Sequence, residues 1–229
     1  MLAVLINGAA TIVGALLGLL LKKGISEAMT KALFSGISLC VIVMGVQGAI
    51  KTENLMLLLF SMAVGTCIGT ALAIEDHMQL LGEYLKKRFH AGEDQLFLKG
   101  FITLSVMQVI GSMAILGPIQ AALAGDASIL YFKSLLDFMA AFIFGSIYGI
   151  GVVPVGIVVA AYEMFFYLIA SVISPLMTPD VIRELNAVGN VMILAIGLNM
   201  LGVVKLKVAD YLPALFIPVI YYFIIRTLG

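Results

Sequence analysis

The sequence has no tryptophan, two cysteines, two histidines and few charges: Asp, Glu, Lys and Arg together make 11% of its 229 residues. A soluble globular domain carries about 25% charged residues, so this scarcity excludes an ordinary soluble fold. The two signs cancel to a net charge of zero, which removes the electrostatic argument for nucleic acid as a partner. Cys40 and Cys67 stand inside apolar runs, where a free cysteine serves as a small hydrophobe. His77 and His90 share one polar stretch with no cysteine nearby, which is not the ligand spacing of a metal site. No metal and no cofactor is expected. The H-E-x-x-H, G-x-S-x-G and P-loop patterns are missing as well, and with them the usual signatures of intramembrane proteolysis, acyl transfer and nucleotide hydrolysis. Asp126 and Asp137 are the nearest thing to a catalytic pair, but Asp126 falls in a loop. The chain does not read as an enzyme.

What is present is apolar. Hydrophobic residues make 62% of the chain, and the mean hydropathy is +1.16. Several runs approach the roughly 20 residues that cross a bilayer as a helix at 1.5 Å per residue, and the alternating short strands of a β-barrel are absent. The fold expected is all-α: a polytopic transmembrane bundle forming a single integral membrane domain over residues 1–229. About eight spans are expected, near 2–21, 33–50, 55–74, 96–116, 131–149, 153–173, 187–204 and 210–225. No basic segment precedes the first run, so it reads as a retained span rather than a cleaved signal peptide.

Between spans 3 and 4, over about 75–91, lies the only long polar stretch. Ile74, Met78, Leu81, Leu85 and Phe89 repeat at spacings of 3 or 4, the period of one helix face. Lys86, Lys87 and Arg88 crowd its end. It reads as an amphipathic cytoplasmic helix, either lying on anionic headgroups or serving as a solvated connector. A further short surface helix is expected just after Pro179.

Eight spans place Lys22, Lys23, Lys31, Lys86, Lys87, Arg88, Lys99, Lys205 and Lys207 on one side of the membrane, and Lys51, Lys133, Arg183 and Arg226 on the other. The side richer in Lys and Arg is normally cytoplasmic. Both termini are therefore expected outside.

Three spans carry a Gly-x-x-x-Gly pair: Gly14/Gly18, Gly65/Gly69 and Gly145/Gly149. That spacing cuts a groove for close helix approach, first for packing within the bundle and alternatively for a homo-oligomer. The pattern Asn7, Gly14, Gly18 recurs as Asp137, Gly145, Gly149, in spans running the same way. Gly45, Gln47 recurs as Gly197, Asn199, in spans running oppositely. No single internal symmetry fits both.

Lys133, Asp137 and Glu163 fall inside the stretch 131–173, at membrane depth. An acid at the centre of a span costs about 3 kcal/mol on insertion scales, so it faces a cavity, pairs, or stays neutral, and it marks a functional site by default. Lys133 is near the outer boundary, where its head can snorkel to water. Asp137, one turn on, either pairs with it or lines a cation path. Asn7, Gln47, Gln108, Asn190 and Asn199 add amides that can offer carbonyls to a solute or bond between helices. The candidate ion- or solute-binding residues are Asp137, Glu163, Asn7, Gln47, Asn199 and Asn190. The turn Gly149–Gly156 is either a tight hairpin or a segment dipping into the membrane. The function expected is a secondary transporter or channel for a cation or small polar solute. The alternative is a non-transporting regulatory or assembly subunit that docks through the amphipathic helix.

Several strings carry a family likeness: INGAATIVGALLGLLLKKG at the start, KTENL at 51–55, GSMAILGPIQ at 111–120, GDASILYFKSLLD at 125–137, GIGV at 149–152 and ELNAVGNVMILAIGLNMLGVVKLKVADYLPAL at 184–215. Together they resemble the bacterial inner-membrane family catalogued as domain of unknown function 554, over essentially the whole chain. The resemblance implies a multi-pass plasma-membrane protein with the lipid bilayer as its first partner, and no particular substrate. This chain departs from the family pattern at Phe138, where a Gly follows the aspartate, and at Glu163, where a Gln often follows the tyrosine.

Overall fold

The apolar runs fold as helices, because a backbone surrounded by hydrocarbon must satisfy its own hydrogen bonds. A computed structural model describes residues 1–22, 27–88 and 95–228. The helices are α1 (Leu2–Lys22), α2 (Glu27–Ala49), α3 (Leu55–Ala71), α4 (Ile74–Arg88), α5 (Gln95–Val109), α6 (Met113–Leu123), α7 (Ser128–Tyr148), α8 (Val155–Leu168), α9 (Ala170–Ile173), α10 (Pro179–Leu201) and α11 (Ile217–Leu228). Short 3-10 helices cover Gly149–Val152, Ser174–Leu176 and Val208–Phe216. No strand occurs among the described residues.

Among the described residues, four segments are long and apolar enough to cross a membrane: Leu2–Leu21, Ser128–Val152, Pro179–Leu201 and Val208–Thr227. Three pairs bent by 52°, 54° and 64° raise the number to seven if each is one span. The remaining expected span, near 33–50, corresponds to the shorter apolar helix Ser35–Ala49. Two boundaries differ from the sequence expectation. The stretch after Pro179 is no separate helix; it forms the first turns of α10, with Thr178 capping and Pro179 at the first helical position, where its missing N–H costs nothing. The span expected near 96–116 instead breaks at 110–112 and continues to Leu123.

The chain divides into two compact units. The first comprises Met1–Ala32, His77–Val109 and Met113–Val172, and the second Leu33–Asp76, Ile110–Ser112 and Ile173–Gly229.

In the first unit, α1 and α7 pack through small residues. Gly14 faces the backbone of Phe138, Gly18 that of Phe142, and Gly145 that of Ala15. The contacts advance together along both helices, so α1 and α7 run parallel. The matched spacings of Asn7/Gly14/Gly18 and Asp137/Gly145/Gly149 thus belong to two helices that pack on each other. Gly8 and Gly156 meet carbonyl to Cα, which draws α8 against α1. The turn after α7 closes as a buried 3-10 helix, with Gly151 against the Phe97 carbonyl. Asp126 is exposed before α7; the Ser128 hydroxyl and N–H, with the Gln120 amide, hold its carboxyl below the ordinary value.

In α4, Gly82 packs on Leu98 and Phe101, while Leu81 of the expected apolar face points outward. Phe89, His90 and Ala91 lie outside the described residues, as do Lys23 and Asp94.

In the second unit, α3 presents Gly65 to Ala214 and Gly69 to the Asp210 backbone, both in the 3-10 helix Val208–Phe216. Gly45 and Gly48 of α2 meet Leu194 and Asn190 of α10, and Gly197 meets Ile42 and the Ser38 carbonyl, so these two helices run antiparallel. The faces of all three Gly-x-x-x-Gly helices pack inside the chain.

Two acids cap each other's helices in this unit. Asp210 accepts from the Glu75 N–H at 2.7 Å, and Glu75 accepts from the Ala209 N–H at 2.9 Å. Each satisfies an N–H that its helix start leaves unpaired. Replacing Asp210 by Ala is expected to cost about 1–2 kcal/mol, read by thermal unfolding. The neighbouring Asp76–Lys207 pair, half-exposed on both sides, is a solvent-screened surface ion pair that adds little stability, and Lys207→Ala serves as its near-silent control. Glu184 holds the KTEN loop: it accepts from the Thr52 hydroxyl and from the Glu53 N–H at 3.0 Å, with Arg183 alongside.

A buried polar centre in the first unit

The α7 face that carries Leu130, Ser134, Asp137 and Ala141 is buried, and Lys133 shares it. Tyr131, Phe132, Leu135, Leu136 and Met139 take the opposite, exposed face. Lys133 therefore does not snorkel. A snorkelling head has to follow the outer face, and here the helical stagger turns the side chain inward, where it is 4% exposed. Its ammonium pairs with Asp137 Oδ2 one turn along and with Glu163 Oε1 of α8 at 3.3 Å.

Asn7 of α1 completes the centre. Its Nδ2 donates to Asp137 Oδ2 at 2.9 Å and to Glu163 Oε1 at 2.7 Å. The Gly8–Gly156 approach makes this reach possible for so short a side chain. Asn7 and Glu163 are fully buried, and Asp137 is 7% exposed. A second layer braces the first: Thr11 donates to Gln108 Oε1 at 3.2 Å, and Gln108 Nε2 donates to the Asp137 backbone carbonyl at 3.1 Å.

Polar groups this deeply buried are normally all paired. Asn7 Oδ1 and Glu163 Oε2 are not. With every group ionised, one ammonium faces two carboxylates and the centre carries one uncompensated negative charge.

Of the six candidate residues, Asn7, Asp137 and Glu163 come together here. Gln47, Asn190 and Asn199 lie in the second unit. Gln47 is exposed. Asn190 donates to the Asn186 carbonyl of its own helix at 2.7 Å and packs on Gly48. Asn199 clasps Leu206 through both amide ends, at 2.7 and 2.8 Å, across the left-handed Gly202 that ends α10. Thr11 is the member the sequence does not single out; Lys133 and Gln108 stand there among the polar residues at membrane depth but outside the six candidates. Their signals were the i, i+4 spacing of Lys133 to Asp137, the same spacing of Asn7 to Thr11, and the mid-span amide of Gln108. Among the described residues, no three His, Cys, Asp or Glu side chains cluster as a metal site.

Apolar helices with a charged and amide-lined interior define a polytopic helical membrane protein. The chain belongs to the family described as Protein of unknown function (DUF554), whose model matches residues 2–223. It is 29% identical over 235 aligned residues to "Uncharacterized membrane protein YdfK" of Bacillus subtilis (strain 168), covering 100% of this chain and 99% of that one. It is also 29% identical over 218 residues to "Uncharacterized protein YqgA" of Escherichia coli (strain K12), covering 92% and 91%. No solved structure matches.

Proposed function

We propose that the protein is a secondary transporter or channel for a cation or small polar solute, with Lys133, Asp137, Glu163 and Asn7 as its binding centre. The observation that carries this reading is the pair of unpartnered acceptors, Asn7 Oδ1 and Glu163 Oε2, in a centre short of one positive charge. Burying charge is costly unless it is compensated, and a fold that keeps such a deficit has a use for what fills it. The chemistry is binding and release, with no covalent step, so the protein is not an enzyme in this reading. Gln47, Asn190 and Asn199 have no place in this centre. The protein sits in the bacterial plasma membrane, multi-pass, with both termini outside, as the distribution of Lys and Arg favours. Nothing in the sequence provides for nucleotide hydrolysis, so any pumping uses a gradient or a partner.

A second reading, a regulatory or assembly subunit, draws on α4. That helix exposes Leu80, Leu81 and Tyr84 beside Lys87 and Arg88. It predicts that deleting α4 abolishes function while substitutions at the acids are silent.

The experiment is ion and proton flux in proteoliposomes across monovalent and divalent cations. Asp137→Asn and Glu163→Gln are expected to bring flux down to the protein-free background. Undiminished flux in both variants would remove these residues from the path.

A further inference from the structure

We infer that the Lys133–Asp137–Glu163 centre takes one monovalent cation in exchange for one proton, and that Lys133 is what excludes divalent ions. The inference rests on the transport reading above and specifies its substrate class.

Charge balance in a buried site selects the occupant. Two carboxylates alone match a divalent cation. Here the Lys133 ammonium is tied to both, through Asp137 Oδ2 and Glu163 Oε1, and is itself almost wholly buried. It balances one of the two negative charges and leaves a deficit of one. A proton or a monovalent ion restores neutrality. A divalent ion overshoots by one charge in surroundings that penalise any imbalance.

The free acceptors give the second occupant its position. Asn7 Nδ2 and Glu163 Oε1 are already joined at 2.7 Å. The remaining oxygen of each group, Asn7 Oδ1 and Glu163 Oε2, therefore lies beside that contact with no partner. One carboxylate oxygen and one amide oxygen are hard ligands, suited to a proton or an alkali cation. The exchange balances. The O–H bond of the carboxyl breaks, its proton passes to solvent, and the cation takes its place on the same oxygen. Nothing is oxidised or reduced.

Few other titratable groups face the centre. Besides Lys133 and Asp137, α7 carries Tyr131, exposed, and Tyr148, its last residue; besides Glu163, α8 carries Tyr162 and Tyr167. Asn7 of α1 is neutral, and beyond it α1 has only the Met1 amine at one end and Lys22 at the other. The helix α6 and the 3-10 helix Gly149–Val152 carry no ionisable side chain. On α5 the one such group is Lys99, exposed and about 13 Å along the helix from Gln108.

The test is titration calorimetry of the purified full chain with NaCl, KCl, MgCl2 and CaCl2, in two buffers of different ionisation enthalpy. The expected result is binding of Na+ or K+ with release of about one proton, and an apparent dissociation constant that rises about tenfold per pH unit on the acid side. Mg2+ and Ca2+ show no binding heat. Glu163→Gln leaves the Lys133–Asp137 pair neutral, so it keeps the fold, checked by its melting temperature, and loses both cation binding and proton release. Divalent binding as tight as monovalent, monovalent binding without proton release, or binding retained in Glu163→Gln would each overturn the inference while the transport reading stands. No binding of any of the four ions would overturn it too; flux of a neutral polar solute through the same protein would then keep the transport reading alive, and no flux at all would end it.

Discussion

Lys133→Met is expected to destabilise the protein by about 3–5 kcal/mol, the cost of stripping one partner from a buried charge pair. The substitution keeps the length of the side chain and removes only the ammonium. It leaves Asp137 and Glu163 facing each other across the Asn7 amide, 7% and 0% exposed, with no positive charge beside them. Their burial leaves little solvent to repay the loss. The double variant Lys133→Met/Asp137→Asn removes one negative charge with the positive one and restores the original deficit of one. Most of the lost stability is expected to return. Thermal unfolding of the four members of this cycle gives the coupling directly. A single variant within about 1 kcal/mol of wild type would mean that the ammonium sits in water and not between the two acids.

Gly8→Val is expected to disrupt both the fold and the site. A Cβ at Gly8 would stand 2.6 Å from the Gly156 carbonyl oxygen and 2.8 Å from the Ala160 methyl. Both obstacles are backbone or a side chain with no rotamer to change, so the clash is relieved only by parting α1 from α8. Overpacking of this kind costs about 1–3 kcal/mol and sometimes more. The parting also stretches the 2.7 Å bond from Asn7 to Glu163, because the neighbouring residue rides on the same helix. Gly8→Val is therefore expected to lose cation flux together with stability. Gly36→Val, at a glycine with open space where the Cβ would go, is the control, with stability and flux near wild type. Wild-type flux in Gly8→Val would show that the close crossing does not set the site's geometry.

The sequence carried the membrane fold well. Spans are readable because hydropathy over 20 residues is a property of the segment alone. The break at 110–112 was not readable in the same way. It is fixed by tertiary contacts, the Asn186 Oδ1 on the Ser112 N–H and Gly189 against Ile110, and no local pattern announces them. The acids and Asn7 were legible because charge and amide inside a span are costly wherever they point. For Lys133 the i, i+4 spacing to Asp137 points to the pair that forms, while depth alone leaves snorkelling open; Leu130, Ser134 and Asp137 on the same buried face decide against it. Gln47, Asn190 and Asn199 were drawn in because an amide's cost does not reveal its partner. For Asn199 that partner is Leu206, seven residues away around a glycine turn, and the role is to end a helix.

The most direct test of the account sets Glu163→Gln beside Gln47→Ala in the same proteoliposome assay of monovalent cation and proton flux. One residue belongs to the buried centre of the first unit, and the other is an exposed amide of the second. The account predicts that Glu163→Gln falls to background while Gln47→Ala transports as wild type does. Wild-type flux in Glu163→Gln, or loss of flux in Gln47→Ala alone, would contradict it.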